Sequence, residues 1–280
     1  MQGAGNDFVV IKTQHNARNW SRLATEICNR HYGIGADGLL LFLPSNVADF
    51  KMRLFNADGS ESSACGNGMR CLIKLFLDEH HDGKSDYEVT IETPAGIRQA
   101  RVHHRQGNVT EIHANMGQPR VGHNGTPAQI GKDKDASVDI VNIMNRIIKV
   151  NREELLLSLV TIGNPHAVHF IRDSVVDFPL ASVGPQVEQH RLFPDETNFE
   201  VAQVISRKEV IARVWERGVG ETFACGTGAC AITIAGNLLG YLDRKVKVKL
   251  PGGTLNVEWY GKGEVYLGGP AATVFRGNWR

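Results

Sequence analysis

Residues 61–71 read ESSACGNGMRC, and residues 221–230 read ETFACGTGAC. Each stretch places a glutamate four positions before a cysteine and follows that cysteine with a glycine-rich run and an apolar segment. The two cysteines, Cys65 and Cys225, stand 160 positions apart. This period is far too long for a solenoid repeat, so the pair indicates a duplicated domain.

Three weaker pairs of motifs support the duplication, because they occur in the same order at nearly the same offset. They are GNDFVV (5–10) with GNPHAV (163–168), TPAG (93–96) with LPGG (250–253), and MGQP (116–119) with LGGP (267–270). We therefore predict two related domains, residues 1–119 carrying Cys65 and residues 120–280 carrying Cys225. The C-terminal tail could pack back on the first domain.

Short segments with β-branched or alternating apolar residues predict strands in both halves. One long helix should follow each cysteine, over about Gly68–His80 and Gly228–Leu242. Both helices are apolar around most of their circumference, so each should be buried inside its own sheet. Arg18–His31 and Pro179–His190 are typical of outer helices. The charged, repeat-free segment Gly131–Leu157 is interpreted as an insertion or a connection.

The composition is that of a globular protein: 280 residues, 42% hydrophobic and 22% charged. A net charge of +1 gives no field that would gather nucleic acid or an anionic membrane. The uncharged run Thr222–Leu242 could reach across a bilayer, but its glycines and polar residues indicate a loop and a buried helix. Five cysteines, an odd number, and no signal-peptide pattern predict a reducing, cytoplasmic setting.

The position of Cys65 and Cys225 just before a glycine-rich helix start suits reactive thiols. Unpaired N–H groups and the helix dipole should lower the thiol pKa and could hold a carboxylate. Neither cysteine has the C-x-x-C or histidine spacing of a zinc or redox site. Cysteines related by a pseudo-two-fold axis would converge on one cleft. Such a pair suits inversion at carbon, in which one group removes a proton and the other delivers one.

The chain resembles the diaminopimelate epimerases, cofactor-independent enzymes that interconvert LL- and meso-diaminopimelate. The motifs that carry the resemblance are GAGNDFVVI (3–11), GIGADGLLL (33–41), FNADGSESSACGNGMRC (55–71), ETPAG (92–96), GNPHAV (163–168), TNFEVAQV (197–204), WERGVGETFACGTGAC (215–230) and LGGPAATVFRG (267–277). The resemblance implies an α+β fold of two pseudo-symmetric domains, each a mainly antiparallel sheet wrapped around a central helix. It also implies a homodimer, no cofactor or metal, and a role in lysine and peptidoglycan precursor biosynthesis.

By the same resemblance, Cys65 and Cys225 are the catalytic acid/base pair, and His166 and Glu216 tune the thiols. The implied substrate-binding residues are Asn6, Asn56, Gly66, Asn67, Asn164, Asn198, Glu216, Arg217, Gly226 and Thr227. A diamino diacid carries two ammonium and two carboxylate groups, so amides, one acid and one arginine suit it. The chain departs from the family at Gly38, where some members carry a substrate-contacting glutamine, and in its short segment before Gly5.

Other interpretations remain. A proline or hydroxyproline racemase of the same architecture would use the same cysteines with a less polar distal pocket, and a non-enzymatic metabolite-binding protein would need no matched cysteines. The G-x-G-x-x-G at residues 33–38 follows a helix and precedes a strand, the reverse of a nucleotide-binding site. The pairs His80-His81 and His103-His104 lack a third metal ligand at a sensible spacing.

Overall fold

The computed structural model describes residues 1–15, 17–62, 65–80, 87–105, 108–128, 140–151 and 153–279. Its backbone divides into two compact units, Met1–Asn115 with Gly268–Arg280, and Met116–Leu267. The C-terminal tail therefore belongs to the first unit, where Gln2 and Ala272 pair as an antiparallel bridge. The division at Asn115 lies close to the boundary of 119 taken from the sequence.

Four helices have both ends within the described residues: α1 (Trp20–Ile27), α2 (Gly66–His80), α3 (Leu180–Glu188) and α4 (Gly226–Leu238). Residues 140–144 are also helical. The strands before residue 130 are β1 (Gln2–Gly3), β2 (Asn6–Lys12), β3 (Gly38–Leu43), β4 (Phe50–Asn56), β5 (Glu61–Ser62), β6 (Tyr87–Thr93), β7 (Gly96–Arg105), β8 (Asn108–Gly117), β9 (Arg120–Val121) and β10 (Thr126–Pro127). The later strands are β11 (Asn145–Val150), β12 (Glu153–Ile162), β13 (Asn164–Ile171), β14 (Asn198–Ser206), β15 (Glu209–Glu216), β16 (Gly220–Thr222), β17 (Lys245–Leu250), β18 (Gly253–Glu258) and β19 (Val265–Gly269).

Both units have the same topology. In the first, β2 runs parallel to β3, β3 antiparallel to β4, and β4 antiparallel to β5 and parallel to β6, which pairs antiparallel with β7. In the second, β13, β14, β15, β16, β17 and β18 repeat this series of pairings in the same order. The helices also correspond, because α1 and α3 precede the second strand while α2 and α4 follow the short fourth strand. The predicted duplication and the α+β class are therefore confirmed.

The helix that follows each cysteine packs inside its own sheet. Helix α2 contacts β1, β2, β3 and β4, and helix α4 contacts β12, β13, β14, β17 and β18. Strand β3, with the sequence GLLLFL, is buried along its whole length because α1 covers one face and α2 the other. In α4 every residue from Gly228 to Gly236 is buried, as expected for a helix that is apolar all round.

The two glutamates of the repeat have equivalent structural partners. Glu61 on β5 accepts two hydrogen bonds from Arg53 on β4, at 2.6 and 2.9 Å. Glu221 on β16 accepts two from Arg213 on β15, at 2.7 and 2.9 Å. In each unit this bidentate pair links the short strand before the cysteine to the neighbouring strand of the sheet.

One predicted helix end needs correction, and one of the two interpretations of residues 131–157 is removed. Helix α4 ends at Leu238 rather than Leu242, because Gly240 takes a left-handed φ of 77° and the chain turns back, with the Tyr241 N–H donating to Gly236 O at 2.8 Å. Part of the segment 131–157 is not a connection: β11 and the first residues of β12 form an antiparallel hairpin in the sheet of the second unit. Residues 131–139 and 152 lie outside the described residues.

No helix within the described ranges is both long and apolar enough to span a membrane.

Candidate active site

Cys65 lies directly before the first turn of α2, which begins at Gly66. Its sulfur accepts a hydrogen bond from the backbone N–H of Gly68 at 3.5 Å. This N–H belongs to the first turn of the helix, where backbone donors have no partner within the helix. The thiol itself donates to Asn6 Oδ1 at 3.9 Å. Cys65 is partly exposed, so reagents and a ligand can reach it.

The Asn6 amide has a fixed orientation. Its Nδ2 donates to Asp37 Oδ2 at 2.6 Å, which leaves Oδ1 to accept from Asn67 Nδ2 at 3.3 Å and from the Cys65 thiol. Asn67 is almost completely buried, and its Oδ1 accepts from Arg70 Nη2 at 2.6 Å. The first unit thus brings together Cys65, Asn6 and Asn67 from the predicted site.

Two other positions of the first unit, Asn56 and Gly38, do not join the group formed by Cys65, Asn6 and Asn67. Asn56 ends β4 and donates through Nδ2 to Ser60 Oγ at 2.9 Å, within the turn that Gly59 closes with a φ of 87°. Among the described contacts it makes none with Cys65, Asn6 or Asn67. Gly38 has no room for a side chain, because a Cβ there would lie 2.9 Å from the Phe55 carbonyl oxygen. Any side chain at this position would therefore require a local shift of the structure.

In the second unit, Cys225 is the N-cap of α4 and is buried. Its sulfur lies 3.4 Å from the side-chain oxygen of Thr227, two positions further along the chain. Burial and the negative charges of Glu216 and Glu200 raise the pKa of Cys225 well above its ordinary value, while Thr227 and the Gly228 N–H oppose this rise. The sequence-based expectation of a lowered pKa is therefore wrong for Cys225, because burial and the carboxylates outweigh the helix start.

His166 forms a buried polar chain with Glu200 and Asn164, and its Glu200 end lies near the first turn of α4. Its Nδ1 lies 2.6 Å from Glu200 Oε1, and its Nε2 lies 2.9 Å from Asn164 Oδ1. His166 and Glu200 are 1% and 0% exposed, and burial raises the pKa of the Glu200 carboxyl against the opposing effect of His166. A Cβ on Gly228 would lie 2.9 Å from Glu200 Oε1 and 3.3 Å from Cys225 Cβ, so the carboxyl reaches the first turn of α4.

The remaining predicted residues of the second unit lie around the end of β15. Asn198 Nδ2 donates to the Pro165 carbonyl at 2.8 Å, and its Oδ1 accepts the Arg217 backbone N–H at 3.1 Å. Glu216 Oε1 accepts from Thr222 Oγ1 at 2.6 Å. The Arg217 guanidinium donates to the Asp195 carbonyl at 2.7 Å, and within the described part of the chain it has no carboxylate partner. A guanidinium without a counter-charge can bind a carboxylate ligand.

Glu200 and Asp37 are the residues that sequence reasoning missed. Glu200 lies in the apolar strand sequence NFEVAQV, and only the parallel pairing of β13 with β14 brings it beside His166. Asp37 lies in the glycine-rich loop before β3, and neither the G-x-G-x-x-G pattern nor the motif GIGADGLLL indicated a role for its carboxylate. A charged residue inside an otherwise apolar strand was the one available signal for Glu200.

The three other cysteines are buried apolar residues. Burial raises the pKa of Cys28 to about 11 and that of Cys71 to about 12. Cys230 is buried within α4. Among the residues that the structure describes, no group of three or more His, Cys, Asp or Glu side chains could hold a metal ion. His81 and the side chains of His80 and His104 lie outside this description.

Comparison with known proteins identifies the chain's relatives. A family model described as diaminopimelate epimerase matches residues 1–122 and 158–274. The diaminopimelate epimerase of Desulfovibrio desulfuricans is 44% identical over 281 residues, covering 100% of this chain and 96% of the relative. That of Methanococcus maripaludis is 42% identical over 280 residues, covering 99% of this chain and 97% of the relative.

Solved structures with low sequence identity share the fold. A probable proline racemase from Agrobacterium radiobacter has a TM-score of 0.67 at 15% identity and covers 96% of this chain and 88% of its own. A hydroxyproline epimerase from Agrobacterium vitis has a TM-score of 0.62 at 14% identity, with coverages of 96% and 86%. At these identities the likeness concerns the architecture alone.

Proposed function

The chain belongs to the diaminopimelate epimerase family, whose members are isomerases, and we propose that it interconverts LL- and meso-2,6-diaminopimelate without a cofactor. One observation carries the proposal: equivalent strands, helices and cysteines occur in both halves of a duplicated fold. A protein that only bound a metabolite would have no need of a thiol at both helix starts. The product would supply lysine and peptidoglycan precursor biosynthesis.

The proposed mechanism uses the two thiols as opposed acid and base. One cysteine, as thiolate, takes the α-proton from one face of the carbon, and the other, as thiol, delivers a proton to the opposite face. Their roles exchange with the direction of reaction, so the pair must hold one proton between them at the start of each turnover. The high pKa of Cys225 supports its role as the thiol that donates in the resting enzyme.

The groups around the cysteines suit an amino-acid substrate. The N–H groups at the starts of α2 and α4 would hold the carboxylate next to the reacting carbon, with Gly66 and Gly226 allowing close approach. Asn6, Asn67, Asn164 and Asn198 would bind the ammonium and carboxylate groups, and Arg217 would bind a carboxylate. His166 and Glu216 would set the protonation of the thiols. The family resemblance supports a homodimer, and the few, odd-numbered cysteines support a cytoplasmic setting.

The direct test is stereochemical. Purified protein incubated with LL-diaminopimelate should yield the meso isomer by chiral chromatography, both before and after prolonged dialysis against a chelator. L-Proline and trans-4-hydroxy-L-proline, incubated in parallel, should retain their configuration. Recovery of unchanged LL-diaminopimelate would contradict the proposal, as would a reversible loss of activity on removal of a metal or a bound chromophore.

A further inference from the structure

Glu188, the last residue of α3, binds the chain on both sides of Glu216 and Arg217. Its Oε2 accepts the indole N–H of Trp215 at 2.6 Å, and its Oε1 accepts the backbone N–H of Gly218 at 2.7 Å. Gly184, one turn earlier on the same face of α3, lies against the Trp215 ring, where a Cβ would come within 2.5 Å of Cδ2. The helix therefore contacts both the ring and the N–H of one tryptophan.

The location of this carboxylate is unfavourable for stability. Glu188 is 7% exposed and shares the inner face of α3 with the core residues Val183 and Val187. A negative charge at the C-terminal end of a helix also opposes the helix dipole. Among the described residues no cation pairs with it, and both oxygens bind neutral N–H groups. Burying a charge without a counter-charge costs stability. We therefore look for the role of Glu188 in the two groups that it binds, the Trp215 indole and the Gly218 N–H.

The segment that it holds is the hairpin turn between β15 and β16. Gly218 takes a left-handed φ of 73°, and its N–H points to Glu188 while the Val219 N–H donates to the Glu216 carbonyl at 3.0 Å. The preceding N–H, that of Arg217, binds Asn198. Consecutive backbone groups of the turn are thus fixed by two side chains from different elements.

We propose that Glu188 is a positioning residue that fixes the Glu216–Arg217 turn so that Arg217 can bind a substrate carboxylate. This inference rests on the proposed function, in which Arg217 performs that task. Glu188 does not itself touch the substrate. It acts by holding Trp215 and Gly218 on either side of the two functional residues.

Glu188→Gln is the sharpest single change, because it keeps the shape of the side chain but replaces one acceptor oxygen with a donor. Two N–H donors then compete for one oxygen, and the turn loses one of its anchors. We expect the KM for LL-diaminopimelate to rise about ten-fold, as loss of a charge-assisted hydrogen bond implies, with a smaller change in kcat. The rate at which iodoacetamide alkylates Cys65, in the other unit, should be unchanged.

A second substitution should rescue the first. Trp215→Phe removes the indole N–H while keeping a ring against Gly184, so the glutamine oxygen of the double variant can accept from Gly218 alone. The KM of Glu188→Gln/Trp215→Phe should therefore be lower than that of Glu188→Gln, although each single change raises the KM. A merely structural role would make the two effects multiply and would lower the melting temperature without this rescue.

Glu209→Gln is the matched control, since it removes a partly exposed carboxylate from the far end of β15, where Glu209 pairs with Lys249. Its kinetics should stay at wild-type values. The Trp215 indole N–H should exchange slowly with solvent in the wild-type protein and faster in Glu188→Gln, a measurement that needs no turnover. Unchanged KM and unchanged exchange in Glu188→Gln would overturn the positioning role, whereas a wild-type protein that fails to epimerise diaminopimelate would overturn the proposed function instead.

Discussion

At the scale of single residues, the protonation of Cys225 is the result of opposing contacts. Burial is the largest cause of its raised pKa, followed by the charges of Glu216 and Glu200. The Thr227 hydroxyl and the Gly228 N–H stabilise the thiolate and act in the other direction. At neutral pH this cysteine is therefore a thiol, which is the form that the second step of the proposed inversion requires.

These contacts predict pH shifts of opposite sign in two variants. Glu216→Gln removes a negative charge, which makes the thiolate easier to form, so the midpoint of Cys225 alkylation against pH should move to lower pH. Thr227→Val removes a stabilising hydrogen bond, so the midpoint should move to higher pH, by about one unit if the bond is charge-assisted. Mass spectrometry of the alkylated peptide measures both. Shifts of the same sign would contradict this account of the thiol.

Sequence reasoning identified the two cysteines and, by resemblance, Glu216 as a residue that tunes them, but not the burial of Cys225 or the charge of Glu200. The motif ACGTG at 224–228 locates a helix start, and a helix start alone lowers a thiol pKa. The opposing effects come from Glu216 and Glu200, which lie on β15 and β14. Their distance from Cys225 depends on strand pairing, which no spacing along the sequence reveals.

At the scale of elements, glycine decides how closely α3 packs on its sheet. Gly184 lies where a Cβ would come within 2.5–2.8 Å of three ring atoms of Trp215, and its helical position needs no special backbone conformation. The ring cannot withdraw freely, because its N–H is bound to Glu188. The close contact between α3 and β15 is thus possible only because residue 184 has no Cβ.

Gly184→Ala should accordingly destabilise the protein. We expect the free energy of unfolding, measured by chemical denaturation, to fall by about 1–3 kcal/mol, the range found for overpacked sites, despite the better helix propensity of alanine. Gly277→Ala is the matched control, since no atom lies within 4 Å of a Cβ at that position. Equal stability of the two variants would contradict the close packing of α3 on Trp215.

The helices were largely predictable and their ends were less so. The apolar segments after Cys65 and Cys225 identify α2 and α4 because a helix that is apolar all round must be buried. Residues 239–242 continue the apolar pattern of α4, yet the left-handed Gly240 ends the helix, with Leu239 as its C-cap. Apolar periodicity cannot distinguish a helical leucine from one that packs beside the helix end, as Leu242 does against Gly236.

At the scale of the whole molecule, duplication explains why the sequence revealed so much of the fold. The same series of parallel and antiparallel strand pairs occurs in both units, and the family model matches one stretch in each half. The segment between the matched stretches includes β11, which pairs with β12 alone among the described strands. This hairpin has no counterpart in the repeat, so sequence comparison between the halves could not assign it to the second sheet.

The central claim is that Cys65 and Cys225 act as opposed acid and base on one carbon, and hydrogen exchange tests it most directly. In D₂O, early turnover of LL-diaminopimelate should place deuterium in the meso product and almost none in recovered LL substrate, because the deuteron arrives from the cysteine that did not take the proton. Cys65→Ala and Cys225→Ala should each abolish inversion. Substantial early label in recovered LL substrate, or near-normal inversion by either alanine variant, would contradict the assignment of these cysteines as an opposed pair.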